Sequence, residues 1–217
     1  ISKYQNLPVP TSYMAAKSNF DFVGGYDFGI NCGILHVADH QLSPGKKQWT
    51  WGSGEFGKMW DKNLTDEDGP YFELMTGCFT DNQPDFSFLG PMETRHFKQY
   101  FMPYHDLGYV HCATKDLAIN VTANDKLILK IYSSGNLGDC VVHINDYEQK
   151  MNFECGKTYE ICLPNNKLTF AELNIKIMQN DTKILSFRGD FERFPVPEPA
   201  KEAPLPEECH SLEDLYL

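Results

Sequence analysis

Short runs of alternating apolar and polar residues fill most of the chain, and Gly, Asn, Asp and Pro separate them. The pattern is most regular in the second half. Leu117-Ala-Ile-Asn-Val, Lys126-Leu-Ile-Leu-Lys-Ile-Tyr, Asp139-Cys-Val-Val-His-Ile, Lys157-Thr-Tyr-Glu-Ile-Cys-Leu, Ala171-Glu-Leu-Asn-Ile-Lys-Ile and Lys183-Ile-Leu-Ser-Phe predict at least six strands. A period of two, broken by turn residues at such intervals, predicts a small Ig-like β-sandwich over 110–191. No cluster of candidate catalytic residues falls in it, so it reads as structural.

The first half is less regular. Residues 1–22 carry Pro8 and Pro10 with no clear period and read as extended or irregular. Phe22-Val-Gly-Gly-Tyr-Asp-Phe and Asn31-Cys-Gly-Ile-Leu-His-Val-Ala-Asp-His predict strands, the first with a bulge or turn at its glycine pair. Gln48-Trp-Thr-Trp-Gly predicts a strand with Trp49 and Trp51 on one face. Gly52, Gly54 and Gly57 predict a loop, and Met59-Trp-Asp a short turn. No Gly-Lys-Ser/Thr follows those glycines, so this is not a phosphate loop. Thr65-Asp-Glu-Asp-Gly-Pro lacks the calcium-loop spacing and reads as a solvated turn. Tyr71-Phe-Glu-Leu-Met-Thr-Gly predicts a strand, and Glu93 to Tyr104 a long closing strand.

The tryptophans stop and the pattern tightens after Leu107-Gly108. This predicts a β domain over 1–109, the sandwich over 110–191, and a tail over 192–217. Five prolines between 195 and 208 predict a stiff linker. Ser211, with Asp214 three residues on and leucines at helical spacing, predicts the start of a helix, as if a longer parent continued into a helical domain. The absence of an initiator Met before Ile1 fits a processed product or a piece of such a parent.

Composition narrows the functional classes. At 217 residues the chain is long enough for one large domain or two small ones, and 41% hydrophobic content is ordinary for a globular protein. A formal charge of -11 argues against nucleic acid and against an anionic membrane surface. No apolar run reaches the roughly 18 residues that span a bilayer. Seven scattered cysteines without a Cys-x-x-Cys pair predict reduced thiols and a cytoplasmic setting.

The candidate chemistry lies between Gly45 and Asp85. All three tryptophans, Trp49, Trp51 and Trp60, fall there with Lys46, Lys47, Asp61, Glu73, Asp81, Asn82, Gln83 and Asp85. Indole faces mixed with amides and carboxylates suit a sugar, whose C–H faces stack on rings and whose hydroxyls need paired donors and acceptors. The same residues could equally fill a β-domain core and its turns. His36 and His40 share a face on a helix or on a strand. No Glu follows His36 in the zinc-protease pattern and no third ligand stands nearby, so hydrogen bonding is expected rather than a metal. No cofactor is expected.

Long motifs carry a resemblance. Pro8-Val-Pro-Thr-Ser-Tyr-Met-Ala-Ala-Lys-Ser-Asn-Phe-Asp-Phe-Val-Gly-Gly-Tyr-Asp, His36-Val-Ala-Asp-His, Pro44-Gly-Lys-Lys, Trp49-Thr-Trp-Gly, Asp81-Asn-Gln-Pro-Asp-Phe and Tyr100-Phe-Met-Pro-Tyr resemble a bacterial family of largely uncharacterised proteins. In that family such a module precedes tetratricopeptide repeats. The resemblance covers most of 1–110. It implies an all-β fold, part of a galactose-mutarotase-like β-supersandwich, with a concave sheet that handles carbohydrate. It also implies that 1–110 is the second part of the supersandwich, with unpaired edges that could drive a homodimer.

Three functions follow as expectations. The first is a carbohydrate-binding or carbohydrate-active auxiliary domain, with His36, His40, Lys47, Trp49, Trp51, Trp60, Asp81, Asn82, Gln83 and Asp85 around the sugar. The second is a module that packs against helical repeats of the parent chain. The third is a sugar epimerase or glycosidase with Glu73 as base and His40 or His36 as acid, Glu93 being a spare carboxylate; for glycosidic cleavage Asp81 or Asp85 would join Glu73.

Overall fold

The computed structural model describes residues 2–15, 18–78, 88–164, 168–191 and 206–211. Among these the chain is all-β apart from one α-helix and three short 3-10 turns. The strands are β1 (Thr11–Met14), β2 (Phe22–Asp27), β3 (Cys32–Val37), β4 (Lys47–Thr50), β5 (Phe72–Met75), β6 (Tyr100–His105), β7 (Cys112–Ala113) and β8 (Leu117–Ala123). They continue with β9 (Lys126–Ser133), β10 (Leu137–Ile144), β11 (Tyr147–Phe153), β12 (Lys157–Pro164), β13 (Asn174–Gln179) and β14 (Thr182–Arg188). The helix α1 is Glu55–Leu64. None of the described helices is long and apolar enough to cross a membrane. None of the described cysteines is joined in a disulfide.

The chain forms two compact units. The first draws on 1–13, 47–75 and 194–217; the second on 14–46 and 76–193. The first unit holds a sheet in the order β1-β4-β5, with α1 inserted between β4 and β5. The predicted glycine loop at 52–57 is therefore half wrong: its second part is the first turn of a helix. Phe56, Met59 and Trp60 recur at helical spacing, and Lys58 pairs with Glu55 at 2.7 Å. Gly57 is buried because the turn sits on the loop before it. A Cβ there would lie 1.7 Å from the Gly52 carbonyl oxygen, so only glycine fits.

The second unit has three layers. Two four-stranded sheets, β11-β10-β13-β14 and β12-β9-β8-β7, pack face to face. Leu117, Ile119 and Val121, Leu127, Leu129 and Ile131, Val142, Ile175, Ile177, Leu185 and Phe187 fill the space between them. Each predicted strand of 117–187 coincides with an observed one. Hairpins close at Asn145 and Asn180, both in the left-handed region that asparagine tolerates. The strand β11 is a further one, absent from the sequence reading. Only Phe153 of its seven residues is buried, so its pattern is polar.

The third layer is the sheet β2-β3-β6, antiparallel throughout. It covers the outer face of β7, β8 and β9. Leu35 and Val37, Met102 and Tyr104, Leu107, Ala113, Ala118 and Tyr132 form this second core. Side chains alternate between faces along a strand. Leu117 and Ile119 thus face the sandwich interior, while Ala118 between them faces the third layer.

The predicted strand from Glu93 to Tyr104 is shorter than expected, since β6 begins only at Tyr100. Residues 93–98 are exposed. Glu93 closes a turn instead: its Oε2 accepts the Gly90 amide at 2.8 Å and its own amide donates to the Gly90 carbonyl at 3.0 Å.

Gly33 reports how tightly the third layer is built. A Cβ there would meet Gly25 O at 2.5 Å and the Tyr104 ring at 2.6 Å. Tyr104 is itself buried, with its ring 5.4 Å from Tyr26 and 6.3 Å from Tyr132. Gly33→Ala is expected to cost about 2 kcal/mol. A fall in the urea midpoint at unchanged slope would show it, and an unchanged midpoint would mean that Tyr104 has room to move.

Candidate functional site

The tryptophans lie in the first unit. Trp49 is on β4, opposite Glu73 of β5. Trp51 follows β4, and Trp60 is on α1. Trp60 stacks on Trp51 with centroids 4.3 Å apart and planes 8° from parallel. Trp49 meets Trp51 edge-on at 4.5 Å, and Phe56 meets it at 5.9 Å. All three indoles are half-buried. One face of Trp51, which a sugar would need, is occupied by Trp60.

The polar groups around this cluster bind the fold itself. Asp61 accepts the Tyr4 hydroxyl at Oδ2 and the Tyr71 amide at Oδ1, at 2.7 and 2.8 Å. Burial and then Asp61 push the Tyr4 phenol well above its usual range. Glu73 Oε1 accepts the Tyr71 hydroxyl at 2.7 Å, which raises the Tyr71 pKa. Lys47 is half-buried on β4. Asp81, Asn82, Gln83 and Asp85 lie outside the described residues.

The histidines belong to the second unit, and Glu73 to the first. His36, on β3, is buried, and neither ring nitrogen has a hydrogen-bond partner among the described residues. Its ring lies 5.3 Å from that of Phe101, the residue opposite on β6. Burial and the nearby Lys46 charge lower its pKa. His40 does not share a strand face with His36, because β3 ends at Val37 and His40 sits in the turn that follows. Asp21 holds it. Its Oδ1 accepts the His40 amide at 2.9 Å and lies 2.7 Å from Nδ1, so Nδ1 carries the proton and Nε2 is the acceptor in the neutral ring.

Asp39 completes this corner. Its Oδ1 accepts the Gln41 amide at 2.8 Å, and its carbonyl takes the amides of Leu42 and Ser43. Ligand atoms of Asp21, Asp39 and His40 lie within 4.8 Å of one another, close enough to share a cation. Lys46 opposes that use. It is only 3% exposed, its Nζ has no hydrogen-bond partner among the described residues, and it feels the charges of Asp21 and Asp39. Burial lowers the Lys46 pKa and the two carboxylates act against that fall.

Asp21 and Asp39 also line an open hollow of about 630 Å³. Its other polar walls are His96, Lys98, Thr114 and Lys115; its apolar walls include Leu42, Phe97 and Tyr100. None of Asp21, Phe97, Tyr100 or Thr114 stands out in the sequence. They come from separate segments, joined only when β3 and β6 pair beside β7.

A second hollow of about 420 Å³ surrounds His105, with Asp106, Lys130, Tyr159 and Glu160. His105 Nδ1 lies 2.8 Å from Asp106 Oδ2 and Nε2 lies 2.9 Å from the Gly156 carbonyl. Both partners are acceptors, so the ring is held as an imidazolium that bridges the third layer to the β11–β12 turn. The Asp106 carboxylate, then the Gly156 carbonyl, raise its pKa.

Residues 1–110 match the family described as a domain of unknown function, DUF5107. The chain belongs to that family. The DUF5107 match takes in the first unit's strands, α1 and the whole β2-β3-β6 layer, including every residue of the Asp21–Asp39–Lys46 corner. No solved structure matches the chain.

Two outcomes follow from this geometry. Trp60→Ala is expected to destabilise the protein by about 2–3 kcal/mol, below the full-core range because the ring is half-buried. Chemical denaturation measures it, and a neutral result would mean the indoles do not support one another. For His105, the folded protein holds the proton more tightly than the unfolded chain. Its contribution is complete below the ordinary histidine range and is lost as pH rises through the raised value. The gap in melting temperature between wild type and His105→Ala is therefore expected to be wider at pH 5.5 than at pH 8.5; a gap that widens with pH would contradict the imidazolium bridge.

Proposed function

We propose that this chain is a carbohydrate-binding module, an auxiliary domain of a larger bacterial protein, and that sugar binds in the hollow beside Asp21 and Asp39. One observation carries the reading. The hollow combines ring faces, Phe97 at 40% and Tyr100 at 38% exposure, with acceptors and donors of both charges. A pyranose asks for that mixture: C–H faces for the rings, hydroxyls for the carboxylates, ammoniums and Thr114. The volume, about 630 Å³, falls within the range of small-molecule sites, roughly 300–1,000 Å³. The opening is wide, which suits a ligand bound end-on or along a chain.

The reading moves the contact surface away from the indoles. Trp49, Trp51 and Trp60 use their faces on each other and support the first unit. Resemblance to mutarotase-like supersandwiches adds weight to a sugar as the ligand, though fold alone does not fix function.

Titration calorimetry with glucose, galactose and short gluco- and galacto-oligosaccharides tests the proposal. A saturable heat is expected. Tyr100→Ala and Phe97→Ala should each weaken it by about five- to tenfold, the scale of one stacked ring. Trp49→Phe, which keeps the aromatic packing, should leave it within about twofold. No heat from any of these sugars at high concentration would remove the reading, and loss in Trp49→Phe alone would return the site to the tryptophans.

A further inference from the structure

One face of the sheet β2-β3-β6 packs on the sandwich through Leu35, Val37, Met102 and Tyr104. Alternation sends the residues between them to the other face. Cross-strand register sorts that face into three rows: Val23, His36 and Phe101; Gly25, Ile34 and Pro103; Asp27, Cys32 and His105. A sheet face left to water is normally polar. The outer face of β11-β10-β13-β14 follows that rule, with His143, Glu148, Lys150, Lys176 and Ser186. Here the first two rows carry no acid, lysine, arginine or hydroxyl. Phe101 is 66% exposed and Ile34 46%, and Pro103 is exposed as well.

Such a sheet can be covered along an edge or over its face. The β6 edge is poorly suited, because Pro103 removes an amide from the middle of the strand. The face is better suited, because its two sides differ in a complementary way. The strand β2 supplies the smaller or acidic member of each row, Val23, Gly25 and Asp27. The strand β6 supplies the larger or basic one, Phe101, Pro103 and His105. His105 holds its proton between the Asp106 carboxylate and the Gly156 carbonyl, while Asp27 spends one oxygen on the Gly29 amide. A surface whose one side complements its other side is self-complementary about a two-fold axis along the middle strand.

We propose that this face pairs with the same face of a second copy of the chain, about a two-fold axis that runs along β3. Rotation about that axis keeps every row at its own height and lays β2 of one copy over β6 of the other. Phe101 then meets Val23, Pro103 meets Gly25, and His105 meets Asp27, each contact occurring twice. Cys32 and Ile34 lie on the axis and meet their own counterparts. This is the aligned packing that two twisted sheets adopt. Three strands of six residues span about 14 by 20 Å. That is well below the roughly 800 Å² per partner of a standard interface, so the dimer is weak and depends on concentration. The contact is independent of the sugar reading.

Sedimentation equilibrium of the 217-residue chain, from micromolar to near-millimolar concentration, tests the proposal. The average mass is expected to rise toward twice that of the chain. Ile34→Glu sets two carboxylates against each other on the axis and should weaken the dimer at least tenfold. Its melting temperature should stay close to wild type, since Ile34 is half exposed. Asp27→Asn keeps the acceptor for the Gly29 amide and removes the charge; it should weaken the dimer about threefold, the scale of two exposed charge contacts, and serves if Ile34→Glu does not fold. A short bis-maleimide should join two copies through Cys32. Cys32→Ser should abolish that product, whereas Cys155→Ser and Cys162→Ser should not. A chain that stays monomeric at every concentration would overturn the proposal. So would a dimer that neither Ile34→Glu nor Asp27→Asn weakens, or one whose cross-link does not need Cys32.

Discussion

The structure depends on one sheet being buried on both faces. In β12-β9-β8-β7 the alternation of side chains is used twice. Leu117, Ile119, Leu129 and Ile131 close the sandwich, while Ala118 and Tyr132, one residue out of phase, receive the sheet β2-β3-β6. Each fully buried Leu or Ile contributes on the order of 2 kcal/mol, so the sandwich face dominates the energy. The outer face contributes shape. Ala113 and Ala118 are small enough to let β3 and β6 approach, and Tyr104 and Tyr132 fill what the alanines leave. A single one-residue slip of β8 would exchange the two faces and place Leu against a layer shaped for Ala.

That packing creates the hollow. With Val37 and Ala113 in one core, the chain leaving β3 must turn beside the residues that follow β7. Ala38, Asp39 and Leu42 thereby come to face Thr114 and Lys115 across open space, and the segment entering β6 supplies Phe97 and Tyr100. The hollow is a by-product of joining a third layer to a sandwich. This is why its residues are scattered over nearly a hundred positions, and why the joint, not any one loop, determines its width.

The sequence made the sandwich legible because its strands alternate strongly. It hid β11, whose edge position buries little beyond Phe153, and β1, which lies in a run with no period. It also hid α1. Three glycines in six positions imitate a loop, and the one that matters, Gly57, is there for close packing rather than for a turn. The candidate site was legible only in part. His40, which Asp21 holds, was among the candidates, but the indoles drew attention to residues that face one another. Rings that stack on rings and rings that await a ligand have the same spelling. Asp21 was silent because nothing local marks an aspartate whose partner lies 19 residues away.

The buried Lys46 is a cost to the fold rather than a support of it. Folding alone gives no reason for an ammonium there. A methionine would fill the same volume and remove an unmet charge, and replacement of buried charges by apolar groups is often neutral or stabilising. The neighbouring His36 is likewise buried, with neither ring nitrogen partnered among the described residues. By contrast, Asn145 of this unit is engaged at both ends of its amide: its Oδ1 accepts the Asn174 amide and its Nδ2 donates to Glu172 O. Polar groups that fasten the fold are satisfied within it.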